Sequence, residues 1–404
     1  MEELEDVPSE FTQPIITCIN LMRGCVNIFN DRKTLWQTYW RHLLMIPSLV
    51  LFYASVSTYM FEVLREKLQL EEFAFAISFY AICTQGNSHV SILPFSEYII
   101  FKLGRMWRTE DLTEVQITKK NVLLKRLNFC YAVFYWMNVI GTVQYILAPL
   151  FETVFRKYIL QEECELMLPF PCSFPFDPTG SWPVYIGVYI FEIFSIFCVL
   201  YIYVGSEFLM VTLSSHLTTE FALLQADLLL AKPVVNAPET NISTDNKGIK
   251  YIIQRHQKLI EFTEQLDFIF NKMIFVNLSA ATITICLFSF SATVAGRFLD
   301  MVNNLLGVAA LAVPIFNLCY YCELLREASS GMADAAYNNL WYNGGTEYAK
   351  FIWLIIIRSQ NSCGLTSLKY NPVTLGTFTT VMSTTWSYFS LALNLYEDDR
   401  TAET

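Results

Sequence analysis

The uncharged stretch NPVTLGTFTTVMSTTWSYFSLALNLY covers residues 371–396, between Lys369 and Glu397. About 20 such residues span the hydrocarbon of a bilayer as a helix, because each residue adds ~1.5 Å. On a helical wheel at ~100° per residue, the hydroxyl and amide side chains share one face roughly 160° wide. This polar face holds Thr377, Thr379, Thr380, Ser383, Thr384, Ser387, Ser390 and Asn394, with one bulky apolar residue, Leu391. The opposite face, which we expect to pack against other helices, holds Leu375, Phe378, Val381, Met382, Trp386, Phe389 and Leu393.

Two interpretations of the polar face remain open at this point. Ser and Thr commonly join packed membrane helices to one another. In the other interpretation the hydroxyls face water in a pore, and Leu391 forms a hydrophobic constriction that gates by dewetting. Either way the face turns from lipid, because an unpaired polar group in hydrocarbon costs several kcal/mol. A pore needs several copies of the helix around one axis.

The rest of the chain has the composition of a polytopic membrane protein. Of its 404 residues, 54% are hydrophobic and 16% are charged, whereas about a quarter of the residues in a soluble domain are charged. A run at residues 183–206 is long enough to span a bilayer and is interrupted only by Glu192. Uncharged runs of spanning length lie at residues 42–61, 73–96, 127–151, 273–296, 301–322 and 370–396. We therefore predict an all-α protein with seven transmembrane helices.

The distribution of Lys and Arg predicts which way the chain faces, because cytosolic loops hold the excess of these residues. With the N-terminus inside, the cytosolic segments hold 21 Lys and Arg and the outer segments hold 6. We therefore expect residues 1–41 to form a cytosolic arm with a short amphipathic helix, and residues 397–404 to form an extracellular tail. This orientation is opposite to that of a G-protein-coupled receptor.

The connections between the spans divide the chain further. Residues 42–206 hold helices 1–4 with an outer loop at 152–183, and residues 273–322 hold helices 5 and 6. Between them, apolar residues recur at helical spacing over 208–230 and 248–270, which predicts that region 207–272 forms cytosolic extensions of the fourth and fifth helices. A further cytosolic region, 323–369, precedes the last helix, 370–396. In the outer loop, Cys164 and Cys172 lie on the oxidising side and are candidates for a disulfide.

Enzyme chemistry finds little support in the sequence. The four histidines lie in separate segments, and no Gly-rich phosphate loop or nucleophile motif is present. Glu192 is the one acid inside a predicted span. It either lines a ligand pocket or is protonated or paired with a tyrosine, and both interpretations remain open. We expect no enzyme activity, no cofactor, no metal and no nucleic-acid partner.

Several short motifs in roughly the last hundred residues resemble insect chemoreceptors. Ser387-Tyr388, five residues and then Asn394-Leu395 are similar to the signature that closes the gustatory receptors, with related endings in the odorant receptors. The stretch YYCELLREAS at residues 320–329 is similar to the segment after the sixth helix of odorant receptors. The tripeptide RSQ at 358–360, followed by NPVTL at 371–375, is similar to the start of their seventh helix. Together, the order and spacing of these motifs are hard to obtain by chance.

The resemblance implies a ligand-tuning subunit of an odorant-gated, weakly selective cation channel. In that family four last helices surround the pore, and the cytosolic extensions build an anchor domain with the sixth helix and the first half of the seventh, here residues 347–357. Leu391 would contribute to the gate, Asn394 would place an amide just outside it, and Ser387 and Thr384 would line the pathway. The family's co-receptor carries a long insertion for which this chain has no room. The implied partners are a co-receptor, a small volatile ligand, monovalent and divalent cations and lipid, in the plasma membrane of olfactory sensory neurons.

The resemblance also places a ligand pocket in the outer half of the membrane, among the second, third, fourth and sixth helices. The residues expected there are Phe75, Phe79, Tyr80, Cys83, Met137, Gly141, Tyr145, Tyr185, Tyr189, Glu192, Leu305, Leu306 and Ala309. Such a wall is mostly apolar, so burial at ~25 cal/mol per Å² would dominate affinity. A gustatory receptor channel, a G-protein-coupled chemoreceptor and a transporter remain as alternatives.

Overall fold

Long helices account for most of the computed structural model, which describes residues 7–22, 35–66, 77, 80–81, 83–84, 97–155, 168–170, 172–232, 247–296 and 298–403. In chain order the helices are α1 (Ser9–Met22), α2 (Leu35–Glu66), α3 (Glu97–Met106), α4 (Glu114–Phe155), α5 (Trp182–Leu230), α6 (Lys247–Val294), α7 (Phe298–Tyr337), α8 (Thr346–Gln360) and α9 (Leu375–Glu403). A 3-10 turn, Trp341–Asn343, lies between α7 and α8. The helical class predicted from the sequence is confirmed.

Within the described residues, five helices are long and apolar enough to cross a membrane. Their apolar segments are Met45–Arg65, Glu114–Phe151, Trp182–Leu230, Gly248–Val294 and Asp300–Asn343. These segments match the predicted first, third, fourth, fifth and sixth spans. The predicted second span, residues 73–96, lies mostly outside the described residues. The hydroxyls of α9 lower its hydropathy below that of the other five helices, so its passage through the membrane stays a prediction.

The predicted extensions of the fourth and fifth helices are helical and continuous with their spans. Helix α5 runs unbroken for 49 residues, a length of about 70 Å. Every residue of α5 from 204 to 224 is buried, because α1, α6 and α7 pack around this half of the helix. We call residues 204–230 of α5, residues 247–272 of α6 and the α1 helix the anchor region.

Helix α1 is the predicted amphipathic helix of the N-terminal arm, and it is part of the core. Its apolar face buries Phe11, Ile15, Cys18 and Met22, and burial raises the pKa of the Cys18 thiol to about 12. The helix approaches α5 closely at Gly205, where an added Cβ would overlap Met22 Cγ and lie 3.1 Å from the carbonyl oxygen of Cys18. A residue without a side chain is therefore required at this crossing.

A small β-hairpin turns the chain from α8 into α9. Its strands, β1 (Thr366–Ser367) and β2 (Asn371–Pro372), pair antiparallel, and Leu368 and Lys369 between them adopt left-handed φ angles of 51° and 63°. Asp267 of α6 anchors the hairpin, because its Oδ1 accepts hydrogen bonds from the Thr366 N–H at 2.6 Å and from its hydroxyl at 2.8 Å.

The hairpin corrects the predicted bounds of the last helix. That helix was expected at residues 370–396, but α9 begins at Leu375 because residues 371–372 are extended in β2. At its other end α9 continues to Glu403, so most of the predicted separate tail, 397–404, is a continuation of the helix.

Candidate functional site

A cavity of about 150 Å³ lies among helices α4, α5 and α7. Phe288 of α6 closes one side, and Phe170 of the loop before α5 closes another. The remaining lining residues are Asn138, Gly141, Thr142, Ile196, Val199, Leu200, Tyr203, Leu306, Gly307, Ala310 and Leu311. An apolar cavity of roughly this volume is large enough to hold a benzene molecule.

The cavity wall is apolar apart from three side chains, Asn138, Thr142 and Tyr203. None of the described lining residues is charged. The amide Nδ2 of Asn138 donates a hydrogen bond of 2.8 Å to the carbonyl oxygen of Phe134, one turn earlier in α4. A site of this kind binds small neutral molecules through apolar burial, and its few polar groups orient them.

The cavity includes two of the residues expected at the ligand pocket, Gly141 and Leu306. Met137 and Ala309 do not line it, although their neighbours Asn138 and Ala310 do. The third and sixth helices each contribute one of the expected residues to the wall and the neighbour of another, and the assignment of these residues to a ligand site stays a prediction.

The tyrosines expected at the pocket lie beside the cavity in a separate packed cluster. Tyr185 and Tyr189 are buried there with Cys83, and Tyr80 packs at its edge. The Tyr189 hydroxyl donates to the carbonyl oxygen of Ile146, and the Tyr80 and Tyr53 hydroxyls are hydrogen-bonded at 2.9 Å. This cluster shares Phe170, Ile196 and Val199 with the cavity wall, so the two are continuous along α5. Phe75, Phe79 and the side chain of Tyr145 lie outside the described part of the chain.

Glu192 is fully buried and does not line the cavity, although it lies one turn before the lining residue Ile196. Its Oε2 accepts a hydrogen bond of 3.3 Å from the main-chain N–H of Phe170. This described partner is main chain and not the tyrosine that was one of the expectations. Because Phe170 is a lining residue, Glu192 acts on the cavity by holding the loop that carries this ring.

Cys172 lies two residues after Phe170 and is a free thiol in the structure. Burial is the largest of several influences that raise the pKa of this thiol well above its ordinary value, so it is protonated at neutral pH and a poor nucleophile. Cys164 lies outside the described residues, and the disulfide between the two cysteines stays a prediction.

The polar face of α9 is directed away from the rest of the chain. Five of its members are exposed, namely Thr379, Thr380, Ser383, Ser387 and Asn394, and Thr377, Thr384 and Ser390 are half-buried. Leu391 on this face is 56% exposed. On the opposite face, Val381 is buried and Phe378, Met382, Phe389 and Leu393 are half-buried. Trp386 and Leu375 were also expected to pack, but they are 68% and 37% exposed. The polar face is therefore available to other copies of the helix or to water.

Several hydroxyls on α9 donate back into their own helix. The hydroxyl of Thr380 donates to the carbonyl oxygen of Gly376 at 3.0 Å, and that of Ser387 donates to the carbonyl oxygen of Ser383 at 3.1 Å. Each of these hydroxyl hydrogens is already used in a bond to the helix. The side chain therefore presents the lone pairs of its oxygen to the outside. A ring of acceptor oxygens suits cations and not anions.

The anchor region contains a buried ion-pair network that the sequence analysis did not find. Glu220 is fully buried, and its Oε2 lies 2.6 Å from Arg255 Nη2. Its Oε1 accepts a hydrogen bond of 3.1 Å from the main-chain N–H of Arg108, and Arg108 Nη1 lies 2.5 Å from Asp227 Oδ2. The network ties α5 and α6 to the loop between α3 and α4.

Sequence reasoning missed most of the cavity wall, although one pattern pointed to it. Asn138 and Thr142 are polar residues four positions apart in a mostly apolar span. Residues at this spacing share one face of a helix, and a polar pair on one face of a membrane helix marks the side turned from lipid. No local pattern of this kind marked the ion-pair network of Glu220, Arg255 and Arg108, because its members lie on three separate segments.

The geometry defines a class of protein: a helical membrane protein with an apolar cavity between its helices and a polar, outward-facing helix at its C-terminal end. The profile of the family described as 7tm Odorant receptor matches residues 103–386. The chain belongs to the odorant receptor family. Because the matching profile is that of odorant receptors, it favours this assignment over the gustatory receptor and transporter alternatives.

Individual relatives agree with this assignment. Odorant receptor 13a of Drosophila melanogaster is 26% identical over 270 residues, which cover 64% of each chain. Odorant receptor 85c of the same insect is 20% identical over 334 residues, 76% of this chain and 82% of the relative. The match to odorant receptor 13a thus spans slightly less than two thirds of that relative's length. The solved insect olfactory receptor OR5 from Machilis hrabei, in complex with eugenol, has the same fold, with a TM-score of 0.78 at 13% identity over 95% of this chain and 97% of that one.

Proposed function

We propose that this chain is the ligand-binding subunit of an odorant-gated, non-selective cation channel that forms with a co-receptor. The observation that carries the proposal is the combination, in one odorant receptor chain, of an apolar cavity between helices and a helix with an exposed polar face. The cavity suits a small volatile molecule, and the solved relative's complex with eugenol supports a ligand of this kind. The plasma membrane of olfactory sensory neurons is the proposed location.

The pore of the proposed channel is built from four copies of α9, at least one from this chain and the others from the co-receptor. Leu391 narrows the pathway, Asn394 lies just outside it, and Ser387 and Thr384 face the permeating ions. The outward-facing acceptor oxygens of α9 support a pathway for monovalent and divalent cations. Glu397, at the exposed end of the face, adds negative charge near the mouth.

The proposed topology has seven spans, with the N-terminus in the cytosol and the C-terminus outside. The support is the excess of Lys and Arg in the predicted inner segments, 21 against 6. Epitope tags at Glu2 and Thr404 test it in cells that are not permeabilised. We expect antibody to reach the tag at Thr404 alone. An accessible tag at Glu2 with a hidden one at Thr404 would favour a G-protein-coupled receptor and overturn the channel.

Current measurement tests the function itself. Cells expressing this chain with a co-receptor are exposed to a panel of neutral volatiles, and the controls express either protein alone. We expect ligand-dependent cation current that begins within milliseconds and needs no cytosolic nucleotide. Current that requires a G-protein, or none from any volatile despite surface expression, would contradict the proposal.

A further inference from the structure

The cavity wall holds a hydrogen-bond acceptor whose orientation is fixed by its own helix. Asn138 lines the cavity and is 8% exposed. Its amide donates to the carbonyl oxygen of Phe134, and a carbonyl oxygen only accepts, so the atom on that side must be the nitrogen. The amide oxygen Oδ1 is consequently the atom left for the cavity. Among the described residues, no hydrogen bond to this oxygen is formed.

Thr142 supplies a second polar group on the same side of the cavity. It follows Asn138 by four residues on α4, a spacing that brings Cβ atoms to about 5–6 Å from each other. Its hydroxyl both donates and accepts. The two side chains therefore offer a ligand one acceptor and one group of either kind, against a wall that is otherwise apolar except for Tyr203.

This pairing discriminates among polar ligands by the hydrogen bonds that they complete. A ligand hydroxyl donates to Asn138 Oδ1 and accepts from Thr142. A carbonyl group accepts from Thr142 but leaves the Asn138 oxygen unpaired, and a hydrocarbon satisfies neither. An unpaired buried acceptor is costly, and an ion entering the cavity would find no opposite charge among the described lining residues.

We propose that the cavity selects small neutral alcohols and phenols whose apolar body is about the size of one benzene ring, with Asn138 Oδ1 as the acceptor for the ligand hydroxyl. This proposal rests on the proposed function of the cavity as the odorant site. The volume of about 150 Å³ sets the size of the body. The apolar wall supplies most of the affinity, and the amide oxygen sets the chemical class.

Three probes of nearly equal shape test the selection: benzyl alcohol, benzaldehyde and ethylbenzene. The full chain is expressed with a co-receptor, and the concentration for half-maximal current is measured for each probe. We expect benzyl alcohol to be about tenfold more potent than ethylbenzene, with benzaldehyde between them. Equal potency of the three, or greatest potency of ethylbenzene, overturns the selection while leaving the odorant receptor function intact. No current from any probe, with normal surface expression, overturns both.

Two nearly isosteric variants assign the selection to its residues. Asn138→Leu removes the acceptor, and we expect it to abolish the tenfold advantage of benzyl alcohol while ethylbenzene keeps its potency. Thr142→Val should remove the advantage of benzaldehyde over ethylbenzene and preserve part of that of the alcohol. Val199→Ala, which changes only apolar wall, should shift all three potencies together. If benzyl alcohol keeps its advantage in Asn138→Leu, Asn138 is not the acceptor. If that variant fails to reach the surface, the potency ratios of the three probes on Thr142→Val decide the assignment.

Discussion

The two halves of α5 have opposite packing, although they belong to one unbroken helix. From residue 204 to 224 every side chain is buried, and Glu220 is held by ions from two other segments. Toward its N-terminus, between residues 182 and 203, buried and exposed positions alternate, and Ile196, Val199, Leu200 and Tyr203 face a cavity. The α5 stretch from 204 to 224 is enclosed by neighbouring elements, whereas the stretch from 182 to 203 borders a cavity with space for a ligand. Substitutions should therefore damage stability in the first and alter ligand response in the second.

The largest effect is expected from breaking the ion-pair network of the anchor region. Glu220→Ala leaves the guanidinium of Arg255, whose side chain is 9% exposed, without its carboxylate. Removal of one partner from a buried pair costs about 3–5 kcal/mol. We expect a large fall in the thermal unfolding temperature of the detergent-solubilised protein and loss of surface expression. The control is Glu261→Ala on the exposed side of α6, and similar losses in both variants would show that the network adds nothing.

A smaller loss of stability is expected where α1 crosses α5. Gly205→Ala places a methyl group against Met22 and the Cys18 carbonyl, and overpacking of this kind costs about 1–3 kcal/mol. The matched control is Gly187→Ala on the same helix, where an added Cβ has no atom within 4 Å. Helix propensity favours alanine equally at both positions. The unfolding temperature should fall for the first variant alone, and a stable Gly205→Ala protein would mean that α1 is not held as closely as described.

The contrast between the halves also explains what the sequence was able to predict. Hydropathy and helical spacing are local properties. They located the five spans found within the described residues and the helical extensions of the fourth and fifth helices. The polar face of α9 was also predictable, because the positions of Thr380 and Asn394 on one side follow from the period of the helix. Trp386 was misplaced because its exposure depends on which neighbours reach it.

The cavity depends on packing between helices, which no local pattern fixes. Tyr185 and Tyr189 were expected to face a ligand because they are aromatic and lie in the predicted outer half of the fourth span. In the structure they pack with Cys83 and the carbonyl of Ile146, on the same face of α5 as the lining residue Ile196 but about two to three turns nearer the N-terminus of the helix. On α4, Met137 was expected to line the pocket, but the next residue, Asn138, lines the cavity. The faces of the helices were therefore largely predictable, whereas the position of the cavity along them depends on packing between helices and was not.

In the cavity region we expect an effect on ligand response with no loss of stability. Gly141 lines the cavity, and an added Cβ there has no atom within 4 Å. Gly141→Ala therefore takes space from the ligand, and one methyl group in an apolar pocket is worth about tenfold or more in discrimination. Half-maximal current should require about tenfold more of a ring-sized odorant, while unfolding temperature is unchanged. Gly187→Ala again serves as the control, and equal potency in the two variants would move the binding site elsewhere.

The smallest effect on the protein, and the most specific, is expected at Leu391. This side chain is 56% exposed on the polar face of α9, so its truncation removes little packing within the chain and should leave stability unchanged. If four copies narrow the pore at this level, Leu391→Ala widens a constriction that closes by dewetting, and ligand-free current should rise several-fold. Leu393→Ala lies on the half-buried opposite face and should lower stability without raising ligand-free current. Current that rises equally in both variants would indicate a general loosening of α9, and the polar face would then serve contacts between subunits and not a gate.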